Sequence, residues 1–596
     1  MNEKTYEIAS YGAGRFQAER GNPFGNAPGA GRYQAEGGNP FGNAPGAGRY
    51  QAERGNPFGN APGAGRYPAE GDNSFGNAPG AGRYPAEGGN PFGNAPSAGR
   101  YPAEGGNPFG KAPGAGRYPA ERGNPFSNAP GAGRYPAEGG NPLGNAPVRS
   151  LMLKFAIPSI VGMLVGALYN MVDQLFIGKA VGTLGNTATS IAFPFTTACM
   201  ALALLLGIGG ASCFNLTLGM GDNKKAPYFV GNSLSLLVTG GVVISVITLI
   251  FLTPLLKRFG ATDAVLPYAE EYVKITALGF PFLILTTGGG HLVRADGSPK
   301  MVMICSVTGA VINTILDAVF VLGLEWGMKG AAIATVIGQF VSALIVVVYC
   351  FNFKTVPLWG NHFIPSLRIV KRISSIGMAS CFNQLAIAIV QIVLNNSLKH
   401  YGAISKYGAD DPIAVAGIVM KVNMIVFSIV IGLAQGTQPI ESFNYGAKNY
   451  GRVRNAYWIA LRTGLVISLV AFVCFQVFPR QILGLFANDQ ASEGYYDFGA
   501  MFFRISLFFT WLNCMQPITS TFFTSIGKPL KGVFLSLTRQ ILFFLPLLIV
   551  LPRVFGIYGV TYTGPVADGL AAIVAIVMAI LEFRNMKELE LIDKYA

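Results

Sequence analysis

Charge is scarce in this sequence: only 12% of its 596 residues are Asp, Glu, Lys or Arg, against 51% hydrophobic, and the mean hydropathy is +0.40. Soluble globular domains carry about twice that share of charge, so an ordinary soluble fold is excluded. Histidine is rarer still, and His291, His362 and His400 fall at helix ends or in loops, where they suggest no functional role. The seven cysteines lie inside or at the ends of apolar runs, without CxxC or His/Cys spacing. They read as small hydrophobes, not as a disulfide framework or a metal site. No nucleophile–base pair, phosphate loop or metal cluster is present, so enzymatic activity has no support. The N-terminus MNEKTYEIASYGAG is polar and the first apolar run starts near Leu151, so no cleavable signal is expected. The formal net charge of +14 is spread over loops between apolar segments, which argues for membrane orientation before nucleic-acid binding.

Before the apolar part comes an N-terminal segment, residues 1–14, and then a repeat over 15–150. A unit such as RYPAEGGNPFGNAPGAG recurs every 17 residues, starting at Arg15, Arg32, Arg49, Arg66, Arg83, Arg100, Arg117 and Arg134. Each copy is rich in Gly, Pro, Ala and Asn and offers too little apolar surface to offset the entropy of ordering it. The repeats are therefore expected to be disordered. Strict G-X-Y periodicity is missing, which excludes collagen, and no strand or helix pattern supports a solenoid. The last copy runs directly into LMLKFAIPSI, as an expansion of a juxtamembrane segment would. A spacer, a tether or a docking string are the functional readings; a tolerated terminal insertion is the plain one.

From Leu151 onward, windows of about 20 apolar residues mark spans near 151–178, 187–217, 228–253, 268–293, 299–323 and 328–352, then 369–398, 412–444, 455–478, 497–526, 530–553 and 556–582. About twelve transmembrane helices in two lobes are expected: an all-α membrane protein behind a disordered tail. The lobes are 151–353 and 369–583, with an inter-lobe loop at 354–368 and a tail at 584–596. Lys224, Lys225, Arg294, Lys300, Lys354, Arg368, Lys371, Arg372, Lys448, Arg452, Arg454, Lys528 and Lys531 fall on one side, which predicts that both termini are cytoplasmic. The halves resemble each other: GSPK from Gly297 parallels GKP from Gly527, and GMKG from Gly327 parallels GIYG from Gly556. An even number of helices per half, with basic loops on the same side, makes this a parallel repeat and a transporter architecture.

One span carries an expensive residue. Asp317 lies in the middle of MVMICSVTGAVINTILDAVFV, one turn after Asn313. A carboxylate at the centre of a membrane helix costs about 2.5–3.5 kcal/mol on insertion scales, and such groups mark ion pathways. Tyr169 and Asp173 likewise share a face of the first helix. Two carboxylates meeting in a low-dielectric lobe cannot both stay charged cheaply, so such a pair takes up a proton or binds Na⁺ with Asn and Thr oxygens.

The motifs YNMVDQLFIG, RADGSPK, NTILDAVFV, GAAIATVIGQ and AQGTQPIESFNYGAKNYGRV, in that order, resemble the multidrug and toxic compound extrusion (MATE) family, most of all its MepA-like bacterial branch. The resemblance covers 141 to about 585 and none of the repeats. It implies an antiporter of the bacterial cytoplasmic membrane, exporting amphipathic, often cationic drugs and toxins against H⁺ or Na⁺. No cofactor is implied beyond that coupling ion, and the partners are the small molecules and the lipid bilayer, with a monomeric chain. The family's cation site maps to Tyr169, Asp173, Asn313, Asp317 and Thr335, with possible Na⁺ at Asp173, Asn313, Asp317 and Thr335. Gln339, Asn383, Gln384 and Gln438 are candidate drug contacts. Tyr169, Asn313 and Thr335 have an alternative as interhelical hydrogen-bonding residues, Asp317 as a bond to a neighbouring helix's hydroxyls and Asp173 as a snorkelling or structural helix contact, and Glu441, near the basic loop, reads as a local ion pair. Where some members place acids in the second lobe, this sequence has Asn383, Gln384, Asn513 and Gln516, so the site is expected in the first lobe only. A flippase of lipid-linked saccharide precursors is the alternative of the same superfamily. It would show a strongly basic cavity, whereas Arg504 and Arg539 are the main intramembrane arginines.

Overall fold

The computed structural model describes residues 141–405, 410–484 and 493–595, with thirteen short strands between Arg15 and Asn128. It divides into two units, Met1–Asn145 and Ala146–Ala596.

In the first unit the strands form a six-stranded and a seven-stranded sheet. Every strand runs parallel to its counterpart one copy along, so Arg15 lies opposite Arg32 and Phe41 opposite Phe58. Within the tail expected to be disordered, these short segments pair without a strand pattern in the sequence; the residues between them lie outside the described residues. The physical reason is that pairing here needs no amphipathic alternation. Backbone groups of one copy bond those of the next, and the constant 17-residue period alone keeps them in register.

The second unit is helical. Its spans are α1 (Val148–Val181), α2 (Thr183–Gly219), α3 (Ala226–Ile250), α4 (Leu266–Ala295), α5 (Pro299–Asp317), α6 (Gly327–Phe351), α7 (Leu367–Ala403), α8 (Asp410–Gly446), α9 (Tyr450–Val477), α10, α11 and α12 (Ile557–Tyr595). Span α10 is broken into Glu493–Ser506 and Met515–Ser525, bent by 40°. Span α11 runs Pro529–Leu537, a π-helical stretch Thr538–Phe544, and Leu545–Phe555. Among the described residues eleven helices are long and apolar enough to cross a membrane, twelve with the bent pair, as the hydropathy windows predict. The protein is a multi-pass membrane protein.

The parallel repeat is written into the backbone. Gly297 and Gly527 share φ of +82° and +72°, and Gly327 and Gly556 share +53° and +57°. Only glycine enters that region without a steric penalty, so matched turns begin the fifth and sixth helix of each half. A π-helical stretch, Ala318–Gly323, follows α5 directly, and another, Thr538–Phe544, lies within α11.

The lobes meet through α1 against α8 and α2 against α7 and α8, in the helix halves nearest the basic loops. There the backbones almost touch. A Cβ added to Gly377 of α7 would lie 1.8 Å from the Leu205 carbonyl oxygen of α2, and one on Gly209 would lie 2.1 Å from that of Ile373. Gly219 and Gly446 meet Phe443 and Leu216 at 2.0 and 2.1 Å, and Gly432 and Gly436 abut Ile160 and Ala156 at 2.6 and 2.7 Å. Farther along, Gly166 of α1 and Gly417 of α8 have nothing within 4 Å. Small residues permit such approach in membranes, where packing rather than hydrophobicity drives association. The interface is therefore shut at the basic face.

The inter-lobe segment is strapped to the first lobe. Asn232 of α3 donates to the His362 and Ile364 carbonyls at 2.9 and 3.2 Å and accepts from the Ser366 amide at 2.7 Å. Asp296 accepts from the Lys354 and Thr355 amides at 2.7 and 2.8 Å and from the Tyr349 hydroxyl at 2.7 Å.

Candidate cation-coupling site

Four helices of the first lobe bring the polar residues together. Helices α5 and α6 approach closely because both carry glycine at the contact: a Cβ on Gly338 would lie 2.9 Å from the Gly309 carbonyl oxygen and 3.1 Å from Asn313 Cβ. That approach places Asn313 beside Thr335, with Asn313 Nδ2 donating to Thr335 Oγ1 at 3.4 Å. Asp317 is the last residue of regular α5 and has 0% exposure; immediately after it the helix widens into its π stretch, a feature frequent at functional sites. From α1, Asp173, 8% exposed, is the electrostatic neighbour of Asp317, with Tyr169 beside both.

Acceptors outnumber donors here. Asp317 Oδ1 and Oδ2, Asp173 Oδ1 and Asn313 Oδ1 are buried with no hydrogen-bond partner among the described residues. Buried polar oxygens are nearly always satisfied, and an exception needs an explanation. With both carboxyls ionised, nothing described here lies between them to offset the repulsion. A shared proton or a monovalent cation supplies the missing positive charge, and two carboxylates with neutral Asn and Thr oxygens form an all-oxygen donor set of the kind hard cations take. Groups of three or more His, Cys, Asp or Glu that could hold a metal are absent among the described residues.

All five residues proposed for coupling thus lie in one place, and a sixth joins them. Tyr272 of α4 neighbours Asp173, Tyr169, Asp317 and Thr335. Sequence reading missed it because it sits in the amphipathic start LPYAEEYVK of its helix, where a tyrosine looks like an interfacial anchor. The proposed drug contacts do not converge. Gln339 lies between α4 and α6 inside the first lobe, its Oε1 without a partner among the described residues and facing the gap left by Gly279. Asn383 and Gln384 are half-buried on α7 of the other lobe. Gln438 instead crosses the closed interface, donating to Ser212 Oγ at 2.8 Å and the Ile208 carbonyl at 3.4 Å.

The second lobe holds acids the sequence reading left unexamined. Arg539 Nε donates to Asp568 Oδ1 at 2.5 Å. Lys528 and Lys531 both bond Glu582. The ion pair expected for Glu441 is corrected: it is 2% exposed, and no cation lies within 4 Å of it among the described residues. Its neighbour is Ser525. The nearby basic side chains are taken by other acceptors.

Comparison with known proteins follows the same outline. The family model described as MatE matches residues 158–319 and 379–550, together more than half of the chain. The multidrug export protein MepA of Staphylococcus saprophyticus is 25% identical over 431 residues, spanning 72% of this chain and 93% of that protein. The protein of the same name from Staphylococcus aureus strain N315 matches to the same extent. Among solved structures, an outward-facing multidrug resistance MATE family transporter superposes with a TM-score of 0.71 at 25% identity, over 76% of this chain and 100% of that one. A MOP superfamily transporter from Pyrococcus furiosus shares the fold, with a TM-score of 0.71 at 24% identity over the same shares.

Proposed function

The chain belongs to the MatE family, and from that premise we propose that it is a cation-coupled multidrug efflux transporter of a bacterial cytoplasmic membrane, working as a single chain with both termini in the cytoplasm. It moves amphipathic, often cationic compounds and catalyses no covalent chemistry. The observation that carries this reading is the donor-poor pair Asp173 and Asp317 with Asn313 and Thr335 alongside. When H⁺ or Na⁺ enters, the repulsion between the two carboxyls falls and α1 and α5 settle together. When it leaves, they part.

Antiport follows if cation and drug favour different arrangements of the first lobe, because a ligand shifts an equilibrium only by its differential affinity for the two states. Each proton crossing a one-unit pH difference releases about 1.4 kcal/mol. The shut basic face corresponds to the state open to the far side, in which drug departs and the cation enters. A lipid-precursor flippase is disfavoured, since Arg539 is matched by Asp568 and Arg504 Nε donates to the Gln476 carbonyl at 3.2 Å. The test is Asp317→Asn in a drug-sensitive bacterial host. Resistance is lost at unchanged abundance in the membrane; full resistance would overturn the assignment.

A further inference from the structure

Glu441 occupies a junction that joins both lobes. It lies on α8 between Gln438, bonded to Ser212 of α2, and Phe443, whose carbonyl oxygen abuts Gly219 of α2. Its neighbour Ser525 ends α10, two residues before Gly527, where an added Cβ would meet Leu216 of α2 at 3.0 Å. Two more buried oxygens at this crossing lack partners among the described residues, Asn215 Oδ1 on α2 and Ser442 Oγ on α8.

The charges around the junction are accounted for from every side. Arg452 of α9 donates to Asn444 Oδ1 at 2.9 Å and the Ala146 carbonyl at 2.6 Å, and Arg454 to Glu590 at 2.7 Å. Lys528 and Lys531 hold Glu582 of α12, and Lys448 holds Asp593. Arg372 of α7 sits beside the Cys213 thiol of α2. On α4, Arg294 and His291 bond each other at 3.2 Å. Arg149 and Lys154 of α1 are exposed, and Tyr457 of α9, bonded to Thr519, neighbours Glu441. Among the described residues no lysine or arginine nitrogen lies within 4 Å of Glu441. A carboxylate removed from water with only hydroxyl partners is heavily penalised, whereas the neutral acid is not.

We propose that Glu441 is a second proton-binding site, separate from the Asp173–Asp317 site, that takes up a proton as α2 closes on α8 and releases it when the basic face opens. The bound ligand is a proton alone: the Glu441 carboxyl donates its hydrogen to a neighbouring oxygen at the crossing while the face is shut. Opening parts α2 from α8 and admits water, and the acid then ionises. Closure of this face therefore consumes one proton from the compartment it faces, so acidity there favours the closed state. The inference rests on the alternation of access proposed above, but not on which ion the first lobe uses.

The experiment measures the gate directly. Spin labels are placed on the exposed Lys224→Cys of the α2–α3 loop and Lys587→Cys of the α12 extension, with Cys213, Cys350, Cys381 and Cys474 replaced by serine. Pulsed EPR in lipid nanodiscs then follows the inter-label distance against pH. In the parent the short-distance fraction grows as pH falls, by up to about tenfold in ratio per pH unit where one proton is bound in the closed state only. Glu441→Gln holds the short distance at every pH, and Glu441→Asp keeps the dependence. Asp317→Asn also keeps a pH dependence, which Glu441→Gln added to it abolishes. A Glu441→Gln profile identical to the parent, or one that favours the long distance, overturns the inference while leaving the first-lobe site standing. One invariant distance in all variants overturns both.

Discussion

Gly377→Ala tests the closed interface with a single methyl group. The Cβ would fall 1.8 Å from the Leu205 carbonyl oxygen and 2.6 Å from its carbon, all backbone of the opposite lobe. No side-chain rotation relieves a clash with backbone, so α2 and α7 must separate. Forcing a methyl or methylene into packed space costs about 1–3 kcal/mol where surroundings can adjust, and each 1.4 kcal/mol is tenfold in an equilibrium. The closed-to-open ratio of the basic face should therefore fall by about fivefold to a hundredfold. The nearest atoms all belong to the other lobe, so the cost falls on the closed interface and not on the folding of either half. The same pair of labels at Lys224 and Lys587 reads the outcome: the long-distance component becomes dominant at a pH where the parent is mostly short. Resistance falls in parallel, because a gate held open to the cytoplasm cannot complete the cycle. A distance distribution like the parent's, in a protein of normal yield and thermal stability, would refute the idea that these glycines close the gate.

Two further substitutions probe the lobes separately. Asp568→Asn leaves Arg539 nearly buried without its counter-charge and should lower stability by about 3 kcal/mol, seen as a reduced Tm in detergent; the paired change Arg539→Met with Asp568→Leu should recover most of it. Tyr272→Phe removes a hydroxyl beside Thr335 and the two carboxyls; loss of one polar contact at the site, worth about 1 kcal/mol, should raise the cation concentration for half-maximal transport about fivefold while leaving drug affinity unchanged.

The helices were legible in the sequence because the bilayer imposes a length and an apolar composition on each of them, and the parallel repeat because GSPK and GMKG reappear at matched places. Asp173, Asn313 and Asp317 were legible because polar groups in apolar runs are costly enough to need a reason. Tyr272 was not, since a tyrosine near a helix start has an ordinary explanation. The places of Gln438 and Glu441 were not legible for a different reason: they are set by α2 of the other lobe, which meets Gln438 more than two hundred residues away in the sequence, and no local pattern announces that contact. The strands of the repeats escaped because their pairing lies in the period and not in the composition of any one copy.

The central claim, that the Asp173–Asp317 pair couples a cation to drug export, is tested most directly by counterflow. Purified protein in vesicles is given a fluorescent cationic compound, with a pH gradient or a Na⁺ gradient imposed separately, and Asp317→Asn is run beside it. The account predicts uphill movement of the compound under one of the two gradients, abolished in Asp317→Asn. Uphill movement that persists undiminished in Asp317→Asn would contradict it.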